Sequence, residues 1–188
     1  MMKLILASSS IYRQEILSKH YSDFKCISPD IDETPHIDEK AISLAERLSS
    51  TKANKIAKEF PDHFVIGSDQ VASFEERILG KPDSYDNALS NFKLFKGKSL
   101  HFFAGVSIRN ESLGINRNGL ETTEIRFKNY TDEDMINYLD SLDTFNTTAG
   151  VKSESALFSP LVDQIISNDK YAIIGLPMNW IVDQLSEF

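Results

Sequence analysis

Ser68-Asp69-Gln70 interrupts a β-branched, apolar run, His63-Phe64-Val65-Ile66-Gly67, which resumes at Val71-Ala72. A carboxylate beside a buried strand is expensive unless something pairs it or is coordinated by it. In open α/β folds, ligands gather at the carboxyl ends of strands. Asp69 is thus the first residue to consider for chemistry, and Gln70 the first for reading a ligand. Asp32-Glu33, in a loop with Thr34 and Pro35, could bind Mg²⁺ or Mn²⁺ through oxygen or stay a solvated pair of loop charges.

Lys52 falls on the helical line of Ala41, Ala45, Leu48 and Ile56, so its stem starts from an apolar face. Its ammonium either snorkels to water or stands in a cleft for phosphate oxygens. Lys81 lies in Gly80-Lys81-Pro82, where glycine permits a turn and proline stiffens the exit. The segment is an ordinary turn or a mount for a second phosphate cation. At the amino terminus, Ser8-Ser9-Ser10 leads from a strand into a helix start that carries Tyr12 and Arg13. Free amides at a helix start form an anion site, and Arg13 could add a bidentate grip; equally, the serines could only cap the helix. Glu154, in the polar segment 147–154, taken alone is a surface charge. Taken together, these carboxylates and cations are what metal-assisted attack on a phosphoanhydride requires.

These residues need a scaffold that alternates strands and helices. Residues 3–7 read as a strand, 11–19 as a helix and 24–28 as a short strand. A long helix over 39–60 is stopped by Pro61, and strands follow at 64–74 and around Ile78-Leu79. Residues 83–95 read as a helix, and 99–109 and 122–128 as a strand pair around a loop at 110–119. A helix over 131–142 starts at the N-cap Thr131, with Met135, Tyr138, Leu139 and Leu142 on one face. A strand near 171–174 and a final helix after Gly175-Leu176-Pro177 complete the chain. The pattern predicts an α/β fold with a mixed sheet.

The 188 residues suit a single domain with a sizeable core. A net charge of −8 argues against a nucleic-acid polymer as partner. The lone Cys26 excludes an internal disulfide and a cysteine zinc site, and the four histidines lack metal-ligand spacing. The apolar start is too short for a membrane span or signal peptide, so the cytoplasm is the expected location.

In their order along the chain, Ser8-Ser9-Ser10-x-x-Arg13, Asp32-Glu33-Thr34, Lys52-Ala53, Gly67-Ser68-Asp69-Gln70, Gly80-Lys81-Pro82, Ala149-Gly150 and Gly175-Leu176-Pro177 resemble the Maf family of nucleotide pyrophosphatases. The resemblance implies metal-dependent hydrolysis of a nucleoside triphosphate to the monophosphate and pyrophosphate. It implies a mixed, elongated sheet with flanking helices and two lobes around a cleft, a fold shared with inosine triphosphate pyrophosphatases. Asp69 would activate water, and Glu33 with Asp69 would hold Mg²⁺ or Mn²⁺. Lys52 and Lys81 would contact phosphates, and Ser8, Ser10 and Arg13 would form the phosphate loop. A homodimer is expected on the same ground.

Ser68-Asp69-Gln70, Tyr12-Arg13 and Lys152-Ser153-Glu154 look like the branch that acts on 7-methyl-GTP. Its cationic base would stack on Tyr12. Glu154 would accept from the guanine N1–H and exocyclic amine, and Gln70 would offer a donor and an acceptor. The alternatives are the dTTP/UTP branch, a non-catalytic nucleotide sensor linked to cell division, and an unrelated phosphate-binding domain. One tension stands: on a regular strand Asp69 and Gln70 point to opposite faces.

Overall fold

The computed structural model describes residues 2–141 and 145–188. Its strands are β1 (Leu4–Ala7), β2 (Lys25–Cys26), β3 (Phe64–Phe74), β4 (Arg77–Leu79), β5 (Ser99–Asn110), β6 (Ile115–Phe127) and β7 (Val162–Ile166). Its α-helices are α1 (Ile11–Ser18), α2 (Ala41–Glu59), α3 (Tyr85–Phe95), α4 (Asp132–Ser141) and α5 (Met178–Leu185). The sheet runs β2-β1-β3-β5-β6-β7, with β4 also paired to β3. β1 is parallel to β2 and β3, and the other pairings are antiparallel. The mixed α/β sheet with flanking helices is therefore as expected.

Alternation along β3 divides the molecule. Val65 and Val71 face α2, which contributes Ala41, Ala45, Leu48, Ala53 and Ile56 to that side. Gly67 lets α2 approach: a Cβ there would lie 2.3 Å from the Ser49 carbonyl oxygen and 2.6 Å from the Ala53 nitrogen. The opposite face carries two separate cores. Ile66 packs with Leu6, Leu17, Ile108 and Ile181 at one end, under α1 and α5. Ala72 and Phe74 pack with Phe92, Phe95, Phe102 and Tyr138 at the other, under α3 and α4. Ser68 and Gln70, the intervening residues of that face, belong to neither core.

The edges of β3 repeat this division. β5 pairs with one edge continuously from Val65 to Ser73. On the other edge β1 ends with Ala7 opposite Gly67, and β4 ends with Leu79 opposite Ala72. Residues 68–71 therefore lack a strand neighbour on that side. The two lobes part at this gap.

Local chemistry sets the helix starts. Ser84 Oγ accepts the Asn87 amide, so α3 begins after Ser84 rather than at Asp83, whose φ is +61°. Thr131 Oγ1 accepts the Asp134 amide while Asp134 Oδ2 accepts the Thr131 amide, a reciprocal cap at the expected position. The expected helix end at Leu142 lies outside the described residues.

Three expectations are corrected. β6 starts at Ile115, so most of the loop expected at 110–119 is strand. β7 is a five-residue edge strand that the sequence pattern does not predict, because its side chains are mostly exposed and show no alternation. The strand expected near 171–174 is a 3-10 turn, Ala172–Ile174, ended by Gly175 at φ +99°.

Candidate active site

The gap in the sheet opens into a cleft of about 700 Å³. Ser8, Ser10, Tyr12, Arg13, Glu33, Lys52, Asp69, Gln70, Lys81 and Glu154 all line it. The geometric tension between Asp69 and Gln70 is resolved here without a bulge. The register with β5 is regular through both residues, so they point to opposite faces. Both reach the same space because no strand covers the edge between them.

On the α2 face, Lys52 stands between two carboxylates. Its Nζ lies 2.5 Å from Asp69 Oδ1 and 2.6 Å from Glu33 Oε1. The Lys52 side chain is 8% exposed, so its ammonium does not snorkel to water. Asp69 is also buried, whereas Glu33 is exposed on its loop. That loop is anchored at Arg47, which forms a two-pronged pair with Glu39 at 2.7 and 2.8 Å and donates to the Thr34 carbonyl. Arg47 was not singled out by the sequence, since nothing in a lone helical arginine announces a loop clamp.

On the opposite face, Ser68 and Gln70 bind the segment 172–175. Ser68 Oγ lies 2.7 Å from the Gly105 carbonyl oxygen and 2.8 Å from that of Gly175. Gln70 Nε2 donates to the carbonyls of Ala172 at 3.1 Å and Ile173 at 2.6 Å. This corrects the expectation that Gln70 offers both a donor and an acceptor. Its donors are committed to the wall, and its Oε1 is the half left for a ligand.

Arg13 is also less free than expected. Its Nη1 donates to the Ser68 carbonyl at 2.7 Å, and a Cβ at Gly175 would come within 3.1 Å of its Nε and Nη2. Burial pulls the guanidinium pKa below its ordinary value, opposed by the charges of Asp69 and Glu33. Arg13 is thus a buried cation with one end tied to β3. Ser10 caps α1 by accepting the Arg13 amide, and Ser8 Oγ accepts the Ser10 amide. The capping role weighed for the serines is therefore present, and it leaves other first-turn amides of α1 without helical partners.

Lys81 and Tyr12 are exposed on the rim. The loop of Lys81 is held by the Ala149 amide donating to the Gly80 carbonyl at 2.9 Å. Tyr138 fixes the same segment: its hydroxyl donates to the Gly150 carbonyl and accepts from the Lys152 amide. Exposed Glu154 follows two residues later.

Among the described residues, no cluster of three or more His, Cys, Asp or Glu side chains is arranged for a metal. The donor set still fits a hard divalent cation in part. Two carboxylates already enclose a positive charge at Lys52 Nζ, and Mg²⁺ is commonly held by one or two carboxylates completed by substrate phosphates and water.

No helix among the described residues is long and apolar enough to cross a membrane. A HAM1 protein from Coxiella burnetii shares the fold, with a TM-score of 0.54, 15% identity and full coverage of both chains. Among curated proteins, the 7-methyl-GTP pyrophosphatase of Pseudoalteromonas translucida is 38% identical over 98% of this chain and 91% of its own. That of Bordetella pertussis is 39% identical over 99% and 92%. The Maf-like protein family pattern matches residues 3–188, and with the fold and motif order in agreement, the chain belongs to the Maf family.

Proposed function

We propose that this chain hydrolyses 7-methyl-GTP to 7-methyl-GMP and pyrophosphate, and so removes a modified nucleotide. The observation that supports this most directly is the gap in the sheet. It brings a carboxylate–lysine pair from one face and a base-reading wall from the other to a single cleft. The names of the relatives agree with this reading.

In the proposed reaction Asp69 takes a proton from a water that attacks the α-phosphorus. The bond from that phosphorus to the bridging oxygen breaks, and pyrophosphate leaves. Asp69 begins paired with Lys52, which holds its carboxylate in the cleft where it can accept that proton. Lys52, Lys81 and the fixed Arg13 offset the charge that develops on the phosphates. A divalent cation, Mg²⁺ or Mn²⁺, held by Asp69 and Glu33, would supply further charge stabilisation.

At the base, Glu154 accepts from the guanine N1–H and exocyclic amine, a pair of donors that uracil and thymine lack. Gln70 contributes its Oε1 as a further acceptor. Tyr12 stacks on the cationic 7-methylguanine ring.

The test is pyrophosphate release from 7-methyl-GTP, GTP, UTP and dTTP with Mg²⁺ or Mn²⁺, run beside Asp69→Asn. The expected result is a preference for 7-methyl-GTP that is abolished with Asp69→Asn. Preference for UTP or dTTP would assign the chain to pyrimidine nucleotides. Binding without turnover would make it a sensor.

A further inference from the structure

Beside the cleft lies a second hollow of about 420 Å³. Ser153, Glu154, Ile173 and Ile174 wall both spaces, so the two adjoin along these residues. The other walls are Ile165 on β7 and Ser167, Asp169 and Lys170 just after it. This hollow has no part in the reaction described above.

Its floor is prebuilt. Asp169 is 2% exposed, and its two carboxylate oxygens accept the Tyr171 amide at 2.8 Å and the Asn179 amide at 2.6 Å. That carboxylate ties the loop to both the 172–174 turn and the first turn of α5. Ser167 Oγ donates to the Asp169 carbonyl at 2.9 Å. Lys170 carries its ammonium over the Tyr171 ring, 4.9 Å from the centroid. Ile165 offers an apolar wall that is 43% exposed, while Ile173 and Ile174 are half-buried against the two cores of that face.

We propose that this hollow takes a substituent on the exocyclic amine of guanine, so that N2-alkyl and N2-arylmethyl guanosine triphosphates are substrates as well. The inference rests on the reading of Glu154 as the group that accepts from that amine. An amine with one substituent keeps one N–H for Glu154, and its other bond leaves the ring on the same edge, toward the walls that the hollow shares with the cleft. The isoleucine walls favour an apolar group. The carboxylates of Glu154 and Asp169 outnumber the Lys170 ammonium and disfavour an acidic one. The chain then serves any reaction class that alkylates guanine at this amine, in addition to methylation at N7.

The experiment compares N2-benzyl-GTP with GTP, 7-methyl-GTP and UTP, in the wild type and in Ile165→Trp. The indole should fill the hollow without touching the cleft. Wild-type kcat/KM for N2-benzyl-GTP is expected within about threefold of that for GTP, and to fall at least about tenfold in Ile165→Trp. GTP and 7-methyl-GTP should change less than about twofold in that variant, which also reports that it folds. Refusal of N2-benzyl-GTP by a wild type that still prefers guanine nucleotides overturns the assignment of the hollow alone. Equal losses for all guanine substrates in Ile165→Trp overturn it too, by making the hollow part of the ordinary base site. UTP turned over as well as 7-methyl-GTP overturns the reading of Glu154, and the hollow's assignment with it.

Discussion

The Lys52 ammonium lies 2.5 Å from the Asp69 carboxylate, with both side chains at most 10% exposed. It is also 2.6 Å from Glu33, so one lysine neutralises both carboxylates proposed to hold a metal. A cation held by the same oxygens would have to compete with the Lys52 ammonium. Replacing Lys52 by Gln leaves Asp69 without its partner, at a cost of about 3 kcal/mol in stability. Turnover should drop by about a hundredfold or more. Calorimetry with Mn²⁺ and no nucleotide should nonetheless show tighter binding than in the wild type. Unchanged or weaker Mn²⁺ binding would mean that Lys52 does not occupy the cation's place.

Tyr12 is 46% exposed at the rim of the cleft, so its removal should leave stability nearly unchanged. If it stacks on the base, its loss should matter more when the base is cationic. A cation–π contact at an exposed site is worth about 0.5–1 kcal/mol. Tyr12→Ala should therefore raise KM for 7-methyl-GTP about two- to fivefold more than KM for GTP. Steady-state kinetics with both nucleotides decide it, and equal effects would remove the stacking contact.

The site was legible in the sequence to the extent that its residues carry charge or interrupt an apolar pattern. Asp69 stood out because a carboxylate beside buried residues demands a partner, and that partner proved to be Lys52, itself conspicuous on an apolar helix line. The supports were not legible. Ser68 shows its polarity but not its partners, and Arg47 looks like any surface cation, until the fold brings Gly175 and Glu39 to them. Gly119 was read as part of a loop, yet it sits inside β6. A Cβ there would lie 2.5 Å from the Trp180 ring. A glycine that makes room for an indole cannot be told from a turn glycine without its neighbour. The gap beside residues 68–71 was hidden for a related reason: it is set by where β1 and β4 stop, not by any residue within β3.

The Arg47–Glu39 clamp should give the loop that carries Glu33 an acid limit. Hydrogen bonding to Arg47 is the main cause that lowers the Glu39 carboxyl pKa from 4.5 to about 2. A depressed carboxyl contributes stability that is complete above its unfolded pKa and is lost as pH falls through its folded pKa. The Glu39 contribution should thus be intact above about pH 4.5 and fade toward about pH 2. Denaturant melts of the wild type and Glu39→Gln should differ at neutral pH and converge over that window. At neutral pH, Arg47→Met should lower kcat more than it alters global stability, because it frees the loop that presents Glu33. A difference in stability that does not change with pH would leave Glu39 outside the acid response.

Ser68 offers the sharpest separation between catalytic and positioning roles. Its hydroxyl joins the Gly105 and Gly175 carbonyls, and its own carbonyl accepts from Arg13. It thus ties the base-side wall to the strand whose next residue is Asp69. Ser68→Ala removes only the hydroxyl, keeps the backbone carbonyl for Arg13, and leaves Lys52 and Asp69 on the other face untouched. Loss of one buried donor should cost about 1–2 kcal/mol, or about 4 °C in Tm for a chain of this size. With the wall loosened, KM for 7-methyl-GTP should rise several-fold while kcat changes little, because the Lys52–Asp69 pair proposed to activate water is untouched. The preference over UTP should shrink in parallel. If kcat instead falls with KM unchanged, the Ser68 hydroxyl acts on the Asp69 side of the strand, and the two faces are not separable in the way the gap implies.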